Sequence, residues 1–216
     1  MSVPNRAGPA KTAFVFAGGG SFGAIQVGMM HSLAAHGISA DNLQDAKLPV
    51  HIVTTDMLSG DGVVLSEGSA AQAIIASTAI PGAFAPVRDK DFYLADGAIS
   101  SNTPIRVAVA KRANRLIILP TGYACSTHAP PAGAVATALH ALTLLIARQV
   151  VGELEDLDPS IEYFVVPPLC PLVGSPYDFS RTADHIERAI DSTDAWLARN
   201  GLQKSGIPDE MRPHAH

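Results

Sequence analysis

Thr12-Ala13-Phe14-Val15-Phe16-Ala17-Gly18-Gly19-Gly20-Ser21-Phe22-Gly23 is the stretch on which the fold turns. A short apolar run halted by glycines has the character of a strand buried in a parallel sheet, where neither face meets water. Beyond the glycines the period changes. Ile25, Met29 and Leu33 recur at helical spacing between Ala24 and His36, and Gly37 supplies the stop. Strand, glycine turn and helix form one unit.

Working outward, Val50–Thr55 after Pro49 predicts a second strand, which the first helix would join to Thr12–Ala17 as a right-handed parallel crossover. Asp61-Gly62 reads as a hairpin-like turn before Val63-Val64-Leu65. Ser69–Thr78 is rich in Ala and Ile and predicts a helix ended by Pro81-Gly82; Phe92–Ala95 predicts a strand leading into Asp96-Gly97. A helix over Ile105–Arg112, a strand over Arg115–Leu119, a strand over Ile161–Val166 and an amphipathic helix over Thr182–Ala198 follow. Alternation of strands and helices implies an α/β fold, a three-layer sandwich with a mainly parallel central sheet. Ala134–Val151 is strongly apolar, yet His140 and Arg148 interrupt it and it only approaches the roughly 20 residues a membrane span needs. A buried or interfacial helix is expected there.

The 216 residues, 47% hydrophobic and 16% charged, suffice for one sizeable core, so residues 1–203 are expected to form a single domain and 204–216 a disordered tail. A formal charge of -5 without any run of Lys or Arg gives no electrostatic footprint for nucleic acid. The apolar stretch near the N-terminus is too short for a signal-peptide core, which points to a cytoplasmic protein. Cys125 and Cys170 lie far apart without C-x-x-C spacing, so buried thiols are expected rather than a disulfide framework or zinc knuckle. The eight histidines are dispersed, and no metal centre is expected.

Three chemistries compete for the glycine turn. Backbone amides unpaired at the start of a helix favour negative charge, so Gly18 to Gly23 could hold a phosphate or the oxyanion of an ester under attack. The same residues satisfy G-x-G-x-x-G, a dinucleotide signature that also needs an acidic residue closing the next strand about 20 residues on. Asp41 has that spacing without a strand, and Asp56 closes a strand but comes too late. Gly19-Gly20-Ser21-Phe22-Gly23 also satisfies G-x-S-x-G in a strand-to-helix turn, the setting of a serine nucleophile, although Ser21 equally suits a helix cap.

Three segments in order carry a resemblance. Phe14 to Ala24, with Val27-Gly28-Met29 and Leu33, resembles the opening of patatin-like phospholipases. Ser77-Thr78-Ala79-Ile80-Pro81-Gly82-Ala83-Phe84-Ala85-Pro86 resembles the segment ahead of that family's catalytic aspartate. Tyr93-Leu94-Ala95-Asp96-Gly97-Ala98 with Asn102-Thr103-Pro104 resembles its Asp-Gly-Gly/Ala motif and sequel. The resemblance implies a lipid acyl hydrolase, or a hydrolase of small esters, working by a serine–aspartate dyad without metal or organic cofactor and with possible peripheral contact at a membrane. Asp96 matches the aspartate that takes the serine proton, and Gly18, Gly19, Gly20 and Gly23 match the loop that binds the oxyanion.

One departure is large. The family places a further strand and G-x-S-x-G turn after the first helix, whereas here His36-Gly37-Ile38-Ser39-Ala40-Asp41 passes directly into Asn42-Leu43-Gln44-Asp45. This reads as loss of an internal block near Asp41 and Asn42, together with a strand from inside the sheet. Ser21 is then the candidate nucleophile, provided the turn presents its hydroxyl to Asp96. Two alternatives remain: an inactive remnant serving as a lipid- or protein-binding scaffold, and a nucleotide-binding protein.

Overall fold

The computed structural model describes residues 11–18, 32, 49–81, 84–121, 125, 129–172 and 178–212. Along them run β1 (Thr12–Phe16), β2 (Ile52–Asp56), β3 (Gly62–Leu65), α1 (Ala70–Ser77), β4 (Val87–Asp89), β5 (Phe92–Asp96), α2 (Ala98–Ser101), α3 (Ile105–Ala110), β6 (Arg115–Leu119), α4 (Ala134–Glu155), β7 (Glu162–Val165) and α5 (Thr182–Ala198), with 3₁₀ turns at Gly201–Gln203 and Asp209–Met211. The helix expected over Ala24–His36 lies outside the described residues apart from Ser32, whose hydroxyl donates to Asp194.

β1, β6 and β7 form a parallel sheet in the order β1-β6-β7, with Phe14 opposite Ile117 and Ile117 opposite Phe164. Both of its faces are covered, as a parallel sheet requires. Ile117 and Leu119 point to a cluster with Leu169, Leu172 and Ala189, against which Trp196 and Leu197 of α5 pack. Leu116 and Ile118 alternate to the opposite face, where Val15 and Val165 meet Ile105 of α3 and Val150 and Leu154 of α4. Helices on either side of a parallel sheet give the α/β class and layering expected from the alternation of elements.

β2 does not join this sheet. It is paired antiparallel with β3 on one side and β5 on the other, in a four-stranded sheet ordered β3-β2-β5-β4. The expected parallel crossover from β1 to β2 is therefore not made. A tight turn explains the partnership of β2 and β3. Asp56 accepts hydrogen bonds from the Ser59 amide and hydroxyl, Gly60 adopts φ +80°, and the Asp56 amide donates to the Asp61 carbonyl at 3.0 Å. The turn thus sits one step before the Asp61-Gly62 pair, with Gly60 supplying the left-handed conformation.

α4 extends to Glu155, and among the described residues no helix is long and apolar enough to cross a membrane. The stretch from Lys204 departs from the expected disordered tail. As far as Arg212 it is described, and Met211 is buried in the cluster beneath Leu116, with Ile207 packed alongside. Residues 213–216 lie outside the described residues.

Candidate active site

Asp96 closes β5, and its backbone is held on every side. It stands opposite Thr54 of β2, its amide donates to the Ala79 carbonyl at 3.1 Å, and its carbonyl accepts the Thr55 hydroxyl at 2.9 Å. The carboxylate accepts the Ala98 amide at the start of α2, at 2.8 Å. Burial pushes its pKa above the ordinary aspartate value, and the Ala98 amide only partly offsets this. A carboxyl group shifted upward holds a proton more firmly, which is what a general base near neutral pH requires.

Gly97 is demanded by packing and not by an unusual backbone angle, since its φ is -64°. A Cβ at this position would lie 2.3 Å from the Val53 carbonyl oxygen of β2. The Asp-Gly pair therefore brings the start of α2 against β2, where the Ser77 hydroxyl also donates to that Val53 carbonyl at 2.7 Å.

Asp56, at the end of the neighbouring strand, shows what a structural aspartate looks like in the same sheet. Burial acts to raise its pKa, but the Ser59 hydroxyl and the Tyr93, Ser59 and Leu58 amides donate to it and hold it below the ordinary value. Its donors are intramolecular and keep it ionised as a turn cap. Among the described residues Asp96 has one such donor, and it lines a cavity.

That cavity, about 360 Å³, opens where the two sheets approach each other. Phe14, Phe16 and Gly18 line it from the β1 side and Val53, Ile74 and Asp96 from the other. Its walls are mainly apolar with few polar groups, the usual make-up of a small-ligand site. Gly18 is the first residue past the carboxyl end of β1 and its neighbour Ala17, the end at which α/β sheets bind ligands. The structure thus brings Gly18 and Asp96 to one cleft. Gly19, Gly20, Ser21 and Gly23 lie outside the described residues.

Gly18 itself has a role its sequence did not disclose. Its amide donates to the Asn102 carbonyl at 3.0 Å, and its carbonyl accepts the Thr121 hydroxyl at 2.9 Å. A Cβ on Gly18 would stand 2.7 Å from Asn102 Oδ1. With its amide engaged by Asn102 and its carbonyl by Thr121, Gly18 is anchored on both sides of its own backbone, and its amide is not available to an anion. Asn102 and Thr121 are the anchoring partners, and Asn102 sits in a segment that carries the family resemblance without a stated purpose. Among the described residues no cluster of three His, Cys, Asp or Glu side chains is arranged to hold a metal ion.

Residues 54–109 match the patatin-like phospholipase family. The matched region runs from β2 through Asp96 to α3 and begins beyond the glycine turn. Uncharacterized NTE family proteins of Mycobacterium bovis and Mycobacterium tuberculosis are 38% identical over 58 residues, which is 27% of this chain. The match spans 10% of those relatives' own length. Through the segment that positions Asp96 and Gly97, the chain is similar to the patatin-like phospholipase family.

Proposed function

We propose that this chain hydrolyses carboxylic esters, with lipid acyl esters as the substrate class, using Asp96 as general base. One observation carries the reading: a partly buried carboxylate with a raised pKa faces, across an apolar cleft, the anchored start of a glycine turn. Ester attack needs a nucleophile, a base and donors for the oxyanion. In this reading Ser21 attacks the acyl carbon, Asp96 accepts its proton, and the amides of Gly19, Gly20 and Gly23 receive the developing negative charge. Gly18 holds the turn in place through Asn102 and Thr121. Phe14, Phe16 and Ile74 offer the acyl chain an apolar wall. No metal or organic cofactor enters the scheme.

A scaffold without catalysis is the second reading, and one observation favours it. Among the described residues, the hydrogen-bond partner of the Asp96 carboxylate is the Ala98 amide and not a hydroxyl. The nearby Ser77 hydroxyl is committed to Val53. Hydrolysis of short-chain p-nitrophenyl esters by wild type, Ser21→Ala and Asp96→Ala separates the two. Loss of a general base is expected to slow the reaction by about 10²–10⁴-fold, and loss of the nucleophile by at least as much. Equal rates in all three proteins would remove the dyad and leave the scaffold. Labelling with a fluorophosphonate followed by peptide mapping identifies the attacking serine directly.

A further inference from the structure

Cys125 and Cys170, separated by 45 positions in the chain, meet beyond the carboxyl ends of β6 and β7 with their sulfurs 3.7 Å apart. The Leu172 amide also donates to Cys125 Sγ at 3.4 Å, so the segment after β7 is already laid against this cysteine. Both side chains are partly exposed, and Cys125 packs against the cluster formed by Ile117, Leu119 and Leu172. Sulfur atoms bond at about 2.05 Å. Two side chains already in contact can make up that difference by rotating.

We propose that Cys125 and Cys170 are a reversible thiol oxidation site that closes to a disulfide by exchange with a small-molecule disulfide, tying the segment after β6 to the segment after β7. One cysteine thiolate attacks a sulfur of the small disulfide, forming a mixed disulfide and expelling one small thiolate. The other cysteine gives its proton to water and attacks the protein sulfur of that mixed disulfide, expelling the second small thiolate. Two protein thiols are oxidised by two electrons, and one small disulfide is reduced to two thiols. Burial first, and then the neighbouring Cys125, push the Cys170 thiol up to about 11. Cys170 is accordingly the resolving partner, deprotonated only in the second step.

The site bears on the glycine turn. Thr121, which lies between the end of β6 and Cys125, holds the Gly18 carbonyl. Oxidation would fasten the chain on both sides of that contact, at β6 and at Cys125. The inference is independent of ester hydrolysis, because mass and melting temperature read it directly.

The folded full-length chain, reduced and then incubated near neutral pH with oxidised glutathione, is expected to lose two hydrogens by intact mass without retaining glutathione. Peptide mapping is expected to recover Cys125 linked to Cys170. Closing a loop of this length is expected to raise the melting temperature by about 5–10 °C over the reduced form. Cys170→Ser is expected to retain a glutathione adduct on Cys125, Cys125→Ser is expected to take up little because the Cys170 thiol is held protonated, and neither is expected to show such a rise. Wild type that keeps the adduct, as Cys170→Ser does, would overturn the proposal. So would a linked protein that melts with the reduced one.

Discussion

The two sheets of this protein are stabilised by different means. The parallel sheet has one apolar cluster on each face, and Leu116, Ile118 and Leu119 at its centre are fully buried. The antiparallel sheet buries Thr54, Thr55 and Asp56 in its middle strand instead. There, Thr54 donates to the Val63 carbonyl, Thr55 bonds to the Asp96 carbonyl and the Ser100 hydroxyl, and Asp56 caps the turn to β3. Apolar packing is forgiving in direction, whereas hydrogen bonds fix it. The sheet that carries Asp96 is the one held by directional contacts at its middle strand, and the sheet with an apolar cluster on each face is the one built from hydrocarbon.

The largest expected effect breaks the parallel sheet. Leu116→Ala removes a side chain fully enclosed by the cluster on one face and is expected to cost about 4 kcal/mol in urea unfolding. A cost below about 1 kcal/mol would mean that this cluster is not what supports the sheet. Next comes Gly97→Ala, in the antiparallel sheet. Its Cβ would strike the Val53 backbone oxygen, which cannot swing aside, so either α2 separates from β2 or the strand shifts. About 3 kcal/mol is expected, together with loss of any ester hydrolysis, because Asp96 is carried by the same turn.

Gly18→Ala sharpens the contrast. Its Cβ would meet the end of the Asn102 side chain, which can rotate away, so about 1 kcal/mol is expected. If Gly18→Ala proved as damaging as Gly97→Ala, the β1 side of the cleft would be as rigidly specified as the β5 side. A small stability loss accompanied by a large loss of hydrolysis would instead mark Gly18 as the anchor of the oxyanion turn.

The parallel sheet was also the more legible half. Arg115–Leu119 and Thr182–Ala198 were expected with the bounds they have, because an unbroken apolar run and a long amphipathic period each admit one reading. β4, three residues long, and α2, four residues long, were not anticipated, since neither is long enough to show a period. The partnership of β2 was misread for a different reason. Strand character can be seen in a sequence, but the direction of pairing here depends on a turn whose cap, Asp56, lies at the end of the strand and resembles any other acidic residue. The missing crossover falls between β1 and β2, where the sequence departs from the family pattern near Asp41 and Asn42. The Asp96-Gly97 segment was legible through its motif, which lies inside the region that matches the family. The anchoring of Gly18 by Asn102 and Thr121 was not, because those contacts join positions more than eighty residues apart in the chain.

The smallest expected effect is a difference in sign between the two aspartates that end β2 and β5. Asp96 has a folded-state pKa raised by burial, so the folded protein binds its proton more tightly than the unfolded chain does. Its favourable contribution is complete below the ordinary aspartate value and is lost as pH climbs through the raised one. Asp56 has a lowered pKa, so its contribution is present above the ordinary value and is lost as pH falls through the lowered one. Relative to wild type, Asp96→Asn should therefore gain stability as pH rises from the acid range toward neutral, while Asp56→Asn should lose it. Unfolding curves of the three proteins across that range would show the two differences diverging. Parallel profiles would mean that the two carboxylates share one environment, and the distinction between a cap that stays ionised and a base that waits in the cleft would fail.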